Sequence, residues 1–254
     1  MSDRGASISF DRIASTYEES RGGLVRGRAY ARTIAPQLAP GKVLEIGVGT
    51  ASIAFPLTES GREVIGVDLS PNMLQLAHDR LANRVAVADV MALPVADGSV
   101  PNVLAVWVLQ LVGSVEATLR EARRVLVSGG RLVVITSRGH FSPDDIDAVS
   151  VDFQTAVRGS RQDDPGLVTA IGATLGLRLL ASTMTEAQHF DDTPAGVVRQ
   201  IEGRGFGMLL DLSDEDWQRV VVPVLTALRA LPDQDRPRHR SSRHALLVLS
   251  LIHI

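Results

Sequence analysis

Three acids stand at the ends of three β-branched runs: Glu45, Asp68 and Asp89. The first lies inside Val43-Leu44-Glu45-Ile46-Gly47-Val48-Gly49-Thr50, a strand pattern that breaks into a glycine turn and then a helical pattern. Glycines at such a turn let a ligand reach the backbone where a Cβ would clash. Asp68 follows Gly47 by 21 residues, a spacing that suits a carboxylate accepting hydrogen bonds from a ribose diol at the carboxyl end of a second parallel strand. Asp89 ends a third strand, where another acid can face an adenine edge. A dinucleotide turn reads G-x-G-x-x-G or G-x-G-x-x-A. Here Gly47 and Gly49 are followed by Ser52, a poor match, and Glu45 two residues before the first glycine would repel a pyrophosphate. The same acid suits an ammonium group. S-adenosylmethionine has an amino group, a ribose diol, an adenine and no phosphate, and three strand-end acids fit it.

Groups that could act on a second ligand are sparser. His140 follows the fifth strand within Thr136-Ser137-Arg138-Gly139-His140, at the ligand-binding edge of such a sheet, and is a candidate base. Arg138 beside it can pair a substrate carboxylate. His189 lies just after a sixth strand and is the other catalytic candidate. Trp107 and Gln110, after the fourth strand, are candidate walls of a substrate pocket. His189, Asp191 and Asp192 have poor spacing for a metal, so no metal is expected. With Cys 0, thiol catalysis, disulfides and Cys-ligated metals are excluded. Lys42 is the single lysine, so Schiff-base chemistry is confined to the start of a strand.

The elements that must hold these residues are legible as an alternation. Strands are predicted over 42–46, 63–67, 85–88, 103–108 and 131–136, with helices between them over 51–60, 70–81 and 114–126. Ser70 is the expected N-cap and Pro71 the first helical residue. Continuous apolar strands alternating with helices indicate a parallel sheet covered on both faces. Beyond it, helices are predicted over 144–158, 165–175, 193–204 and 213–231, a strand over 177–184 and a last strand over 245–252. The Arg236–Arg243 run, with His239 and His244, is expected as a solvated loop before that strand.

The chain has 254 residues, 45% of them apolar, and a net charge of −3. That is the composition of a globular α/β domain, and it argues against general nucleic-acid binding. The N-terminus lacks an apolar signal core, and the longest apolar runs are about half a membrane span. A cytoplasmic protein, monomeric or homodimeric and without nucleic-acid or membrane partners, is expected.

Four segments, the glycine turn among them, sharpen the cofactor reading. VLEIGVGT (43–50), VIGVDLSPNML (64–74), VAVADVMALPVADGSV (85–100) and EARRVLVSGGRLVVIT (121–136) occur in that order, preceded by Phe10-Asp11-Arg12-Ile13-Ala14 and Tyr17. With them the chain resembles the class I S-adenosylmethionine-dependent methyltransferases, in the broad small-molecule group that includes the quinone C-methyltransferases. The resemblance covers roughly residues 10–136. It implies a Rossmann-like α/β fold with a seven-stranded, mostly parallel sheet in the order 3-2-1-4-5-7-6, the seventh strand antiparallel. It implies a single domain over 1–254: an N-terminal helical cap over 1–36, a cofactor-binding core over 37–184, a lid insertion over 185–242 and a last strand over 243–254.

The resemblance also implies roles. Gly47 and Gly49 would line the methionine part of the cofactor with Glu45 beside them. Asp68 would bind the ribose, Leu69 would lie against the adenine, and Asp89 with the backbone of Val90 would read its edge. Val106 would flank the methionine moiety, and Tyr17 and Arg26 would reach its carboxylate. The implied activity is methyl transfer to a small-molecule acceptor, leaving S-adenosylhomocysteine. Lid helices over 8–35 and 185–240, with Phe141, Phe153, Met184, Phe190, Phe206, Met208 and Leu209 assigned to them, would form the pocket and favour an acceptor with an apolar body. An RNA or protein methyltransferase, and a cyclase or binding module on the same fold, are the alternatives. Three departures stand out: Ala51 replaces the third family glycine, Gln110 stands where many relatives have histidine, and Pro101-Asn102 replaces Phe-Asp.

Overall fold

In the computed structural model the described residues are Phe10, Glu18, 22–150, 162–205, Leu209 and 212–251. Tyr17, Phe153, Phe206 and Met208 lie outside them, as does the side chain of Arg138. The chain forms two compact units. The first takes in the described parts of Met1–Gly139, Gln162–Glu186 and His244–Ile254; the second those of His140–Arg161 and Ala187–Arg243.

Helix α1 (Gly23–Ile34) leads into β1 (Val43–Ile46). There follow α2 (Ala54–Glu59), β2 (Val64–Asp68), α3 (Pro71–Arg80), β3 (Val85–Val87) and β4 (Val100–Val106). Then come α4 (Val115–Val125), β5 (Leu126–Phe141), α5 (Pro165–Thr174) and β6 (Leu177–Met184). The remaining elements are β7 (Gln188–Asp192), α6 (Pro194–Glu202), α7 (Val222–Arg229) and β8 (Arg238–Leu251). The sheet order is β3-β2-β1-β4-β5-β8-β6, with β7 paired to β8 off this path. β1 to β5 run parallel, and β8 is antiparallel to β6. This is the order that the resemblance implies, with β8 as its seventh strand and β7 as an addition.

Alternation within the strands divides the first unit's core in two. Leu44, Ile46, Val103 and Ala105 pack on one face with Leu119, Ala122 and Val125 of α4. Val43, Leu104 and Val106 face the other way, onto Tyr30 and Ile34 of α1, Leu57 of α2 and Leu74 of α3. Burial of both faces is what continuous apolar strands require. Side-chain caps start the helices as the sequence suggests: Ser70 Oγ accepts from Met73 N–H, and Ser114 Oγ from Ala117 N–H. Asn102 is fully buried and ties the approach to β1 by accepting from Ala39 N–H at 2.7 Å and donating to Ala39 O and Lys42 O. At the amino ends of β1 and β2, Lys42 Nζ meets Glu63 Oε1 at 3.0 Å.

Two expectations need correction. The fifth strand does not start at 131: β5 already begins at Leu126, and Gly129-Gly130 sit in an irregularity between the Val100–Leu126 and Asn102–Arg131 pairs. His189 does follow the sixth strand, on the additional strand β7, where it pairs with Ser241. The arginine-rich run is not a solvated loop throughout, because β8 starts at Arg238. Arg240 is buried there, its Nε 2.5 Å from Asp144 Oδ2 and its Nη1 3.0 Å from Asp192 Oδ2. Phe141 and Phe190 meet edge to face at 6.4 Å and flank that guanidinium. The second unit has its own core, in which Val197, Val198 and Ile201 of α6 pack with Val224, Leu225 and Leu228 of α7 and with Ile146.

Candidate functional site

The glycine turn closes β1 in a conformation that the sequence dictates. Gly47 has φ 69 and Gly49 φ 53, the left-handed region that glycine enters without cost. A Cβ on Gly47 would meet Val108 at 2.4 Å, whereas one on Gly49 would meet nothing within 4 Å. The first glycine is therefore a packing requirement, and the second leaves an open cradle at the turn. Ala51 also has φ 60 and is fully buried, so this turn holds a left-handed alanine.

Asp68 sets the turn. Its Oδ2 accepts from Gly49 N–H at 2.8 Å and its Oδ1 from Ser70 N–H at 2.9 Å. One carboxylate thus links the glycine turn to the start of α3. Leu69 next to it is 38% exposed, an apolar face that a flat base could cover. Asp89 is half-buried and accepts from Met91 N–H at 2.8 Å, while Val90 is buried.

A pocket opens on the turn, lined among others by Glu45, Gly47, Gly49, Val106, Trp107 and Arg26. Glu45 is 3% exposed, and its Oε2 has no hydrogen-bond partner. Burial, and then the charge of Asp68, push its carboxyl up to about 8. A buried carboxyl held neutral beside a pocket is what a cationic ligand group would ionise and pair. Trp107 follows β4 with φ 52, an outlier for a bulky residue. Its N–H donates to Ile135 O, and its own carbonyl accepts from Gln110 Nε2 at 3.3 Å. Gln110 thus braces the Trp107 turn, a supporting contact for the wall it was expected to join.

The structure therefore brings Arg26, Glu45, Gly47, Gly49, Val106 and Trp107 to one pocket, with Asp68 bonded into the same turn. His140 and His189, the catalytic candidates, are exposed residues of the second unit, His140 at the end of β5 and His189 on β7. Arg138 lies on β5.

Sequence reading missed Glu18, which also lines the pocket. It accepts from Thr50 Oγ1 at 2.7 Å and pairs with Arg80 at the end of α3, which also donates to Thr50 O. Arg80 holds the Glu18 carboxyl below its usual range. Its place one residue after Tyr17 was the available signal. Gly27 was missed too: a Cβ there would meet Ser52 O at 1.8 Å, so α1 seats directly on the loop after the turn. Also missed was a buried group of rings behind the pocket. Tyr30 meets Trp107 edge-on at 4.9 Å, and His244 lies 5.5 Å from Trp107. Burial pushes the Tyr30 phenol up, with the charge of Arg26 pulling back. Among the described residues, no cluster of His, Cys, Asp or Glu could hold a metal, and no helix is long and apolar enough to cross a membrane.

Comparison with known proteins agrees with this geometry. Residues 44–134 match a family described as "Methyltransferase domain". Demethylmenaquinone methyltransferase of Thermus thermophilus is 36% identical over 138 residues, which is 50% of this chain and 63% of that protein. The chain thus spans under two thirds of that relative's own length. Among solved structures, a putative methyltransferase of Bacillus halodurans superposes with a TM-score of 0.58 at 15% identity, over 89% of this chain and 99% of that one. The [4+2]-cyclase SpnF gives a TM-score of 0.64 at 14% identity, over 99% and 97%. At those identities the likeness is one of fold. The glycine turn, the strand-end acids and the sheet around them thus lie within residues 44–134, the part of the chain that is similar to a methyltransferase domain.

Proposed function

We propose that the protein transfers a methyl group from S-adenosylmethionine to a small-molecule acceptor with an apolar body. The observation that carries this is Glu45, a buried carboxyl with an unpartnered oxygen on a pocket whose rim is the glycine turn. When bound, the cofactor supplies an activated methyl on a sulfonium leaving group. The protein then has mainly to align the two reactants and exclude water. Glu45 takes the ammonium, Gly49 leaves room at the turn, and Asp68 accepts from the ribose diol while keeping the turn in shape. Leu69, Asp89 and Val90 hold the adenine, and Arg26 and Tyr17 the carboxylate. Val106 and Trp107 wall the sulfur end.

A base is required only for an acceptor still protonated at working pH. His140 and His189 are assigned to the acceptor with Arg138, and the inserted segment 185–242 to acceptor selection. The protein is read as cytoplasmic, as a monomer or homodimer, and as acting without nucleic acid. Fractionation and sedimentation test those points.

The decisive measurement is thermal stability with and without S-adenosylmethionine and S-adenosylhomocysteine. At about a hundred times the dissociation constant, a ligand that binds only the folded state adds about 2.7 kcal/mol. The expected result is a clear rise in melting temperature, lost in Asp68→Ala. A rise with NAD and none with either sulfur ligand overturns the reading. A rise without turnover across an acceptor panel favours the cyclase or binding-module use of the fold instead.

A further inference from the structure

Thr50 stands between two left-handed residues. Gly49 before it has φ 53, and Ala51 after it has φ 60. Glycine enters that region freely, but the Cβ of an alanine crowds the backbone there. Ala51 is fully buried, and strain of this kind persists where the surroundings over-determine the backbone. The peptide that joins Thr50 to Ala51 therefore needs to be held.

The hold comes from both ends of α3. At its start, Asp68 Oδ2 accepts from Gly49 N–H at 2.8 Å and Oδ1 from the N–H of Ser70, the N-cap. At its end, Arg80 Nη1 donates to Thr50 O at 2.9 Å. The first grip fixes the peptide that enters Gly49, and the second fixes the peptide that enters Ala51, whose N–H is bonded to Val48 O at 2.9 Å. Glu18 completes the clasp, with Oε2 accepting from Arg80 Nη2 at 2.7 Å and Oε1 from Thr50 Oγ1 at 2.7 Å. The side chains of Arg80 and Glu18 are only 21% and 25% exposed. Gly49, Thr50 and Glu18 line the pocket, whereas Arg80 stands behind them.

We infer that Arg80 is a positioning residue for the cofactor: it holds the Thr50–Ala51 peptide, and with it the wall that Gly49 and Thr50 form, in the shape that the ligand meets. Without the guanidinium, the Thr50 carbonyl loses that donor, and Ala51 relaxes toward the negative φ that an alanine prefers. The cradle then changes shape although no group lining the pocket has been removed. The inference rests on the pocket being the S-adenosylmethionine site.

The test is calorimetric titration of wild type, Arg80→Met, and Arg80→Met combined with Ala51→Gly. Two probes are used, S-adenosylhomocysteine and 5′-methylthioadenosine, which lacks the amino-acid portion. Arg80→Met weakens S-adenosylhomocysteine about tenfold, and 5′-methylthioadenosine much less, because the turn stands beside the portion that this probe lacks. Adding Ala51→Gly recovers about fivefold of that loss, since glycine keeps a positive φ without help. A loss equal for both probes, or one that Ala51→Gly does not reduce, makes the ion pair an ordinary structural one and overturns the inference while leaving the cofactor site intact. Failure of wild type to bind either probe overturns the cofactor reading and the inference together. If Arg80→Met alone does not fold, its combination with Ala51→Gly should; a combination that also fails to fold overturns the inference.

A second readout needs no ligand. In Arg80→Met, hydrogen exchange at the Ala51 amide should quicken by a larger factor than at Val103 within β4. An equal factor at both is the mark of general destabilisation and overturns the inference.

Discussion

A buried ionisable side chain in each of the two units is accommodated in opposite ways. In the second, Arg240 has a side chain 7% exposed and is saturated, with carboxylates from Asp144 and Asp192 and an aromatic ring on either flank. In the first, Glu45 is just as buried, yet one oxygen has no partner and the charge that acts on it, that of Asp68, has the same sign. A buried charge is tolerable when paired and hydrogen-bonded, and very costly when not. Arg240 meets that condition inside the protein. Glu45 avoids the cost by keeping its proton. The difference separates a group that holds structure from one that awaits a ligand, and neither burial nor residue type alone would reveal it.

The sharpest break in the comparison is to remove the saturated cation. Arg240→Met leaves two partly buried carboxylates facing each other, and we expect a loss of about 3–5 kcal/mol in urea unfolding. A loss under about 1 kcal/mol would mean that the network is ornamental. At the other site the fold should survive. Glu45→Gln replaces one neutral side chain by another and removes the ionisation available to the unfolded chain, so near pH 6 the fold should be no less stable than wild type while affinity for S-adenosylhomocysteine falls by about 1.5–3 kcal/mol, read by calorimetry.

The same carboxyl predicts a pH dependence. Its folded value, about 8, lies above the ordinary 4.5. Below about pH 4.5 it is protonated folded or unfolded and costs nothing. Between about 4.5 and 8 only the unfolded chain gives up the proton, so stability falls as pH rises, and it levels off above about 8. At about 1.4 kcal/mol per pH unit, we expect a fall of about 4–5 kcal/mol over that window in chemical unfolding, abolished in Glu45→Gln. The ligand should work the other way, so that the melting shift from S-adenosylhomocysteine grows from pH 6 to 8 while that from 5′-methylthioadenosine stays flat. The smallest effect supplies the control. His239 and Asp191 pair at 2.5 Å in the second unit, but their side chains are 88% and 56% exposed. His239→Ala should cost under about 0.5 kcal/mol, because an exposed pair is screened.

What was legible in the sequence follows from how local each signal is. Val43 to Thr50 announces its own strand and turn, and Ser70-Pro71 its own cap, since both depend on neighbours a few residues away. Asp68 was found by spacing, although its bond to Gly49 N–H spans only 19 residues of chain and could not be foreseen. The Arg240 network joins residues 48 and 96 apart in sequence. A run of arginines read without those partners looks like a solvated loop. Trp107 was noticed as a wall, but its left-handed backbone has no signature, because glycine or asparagine is what such a position normally shows. His244 was hidden in the same way: its ring is placed by a carbonyl 108 residues earlier.

Lys42 has a consequence outside the chemistry. It is the only lysine, its side chain is 56% exposed, and it stands at the amino end of β1, opposite the end that carries the glycine turn. An amine-reactive tether has one side-chain point of attachment, and it lies on the far side of that strand from the pocket. Molecules coupled to a sensor surface through Lys42 should therefore share one orientation with the ligand mouth facing solution, and ligand exchange could be followed at a surface without engineering a handle.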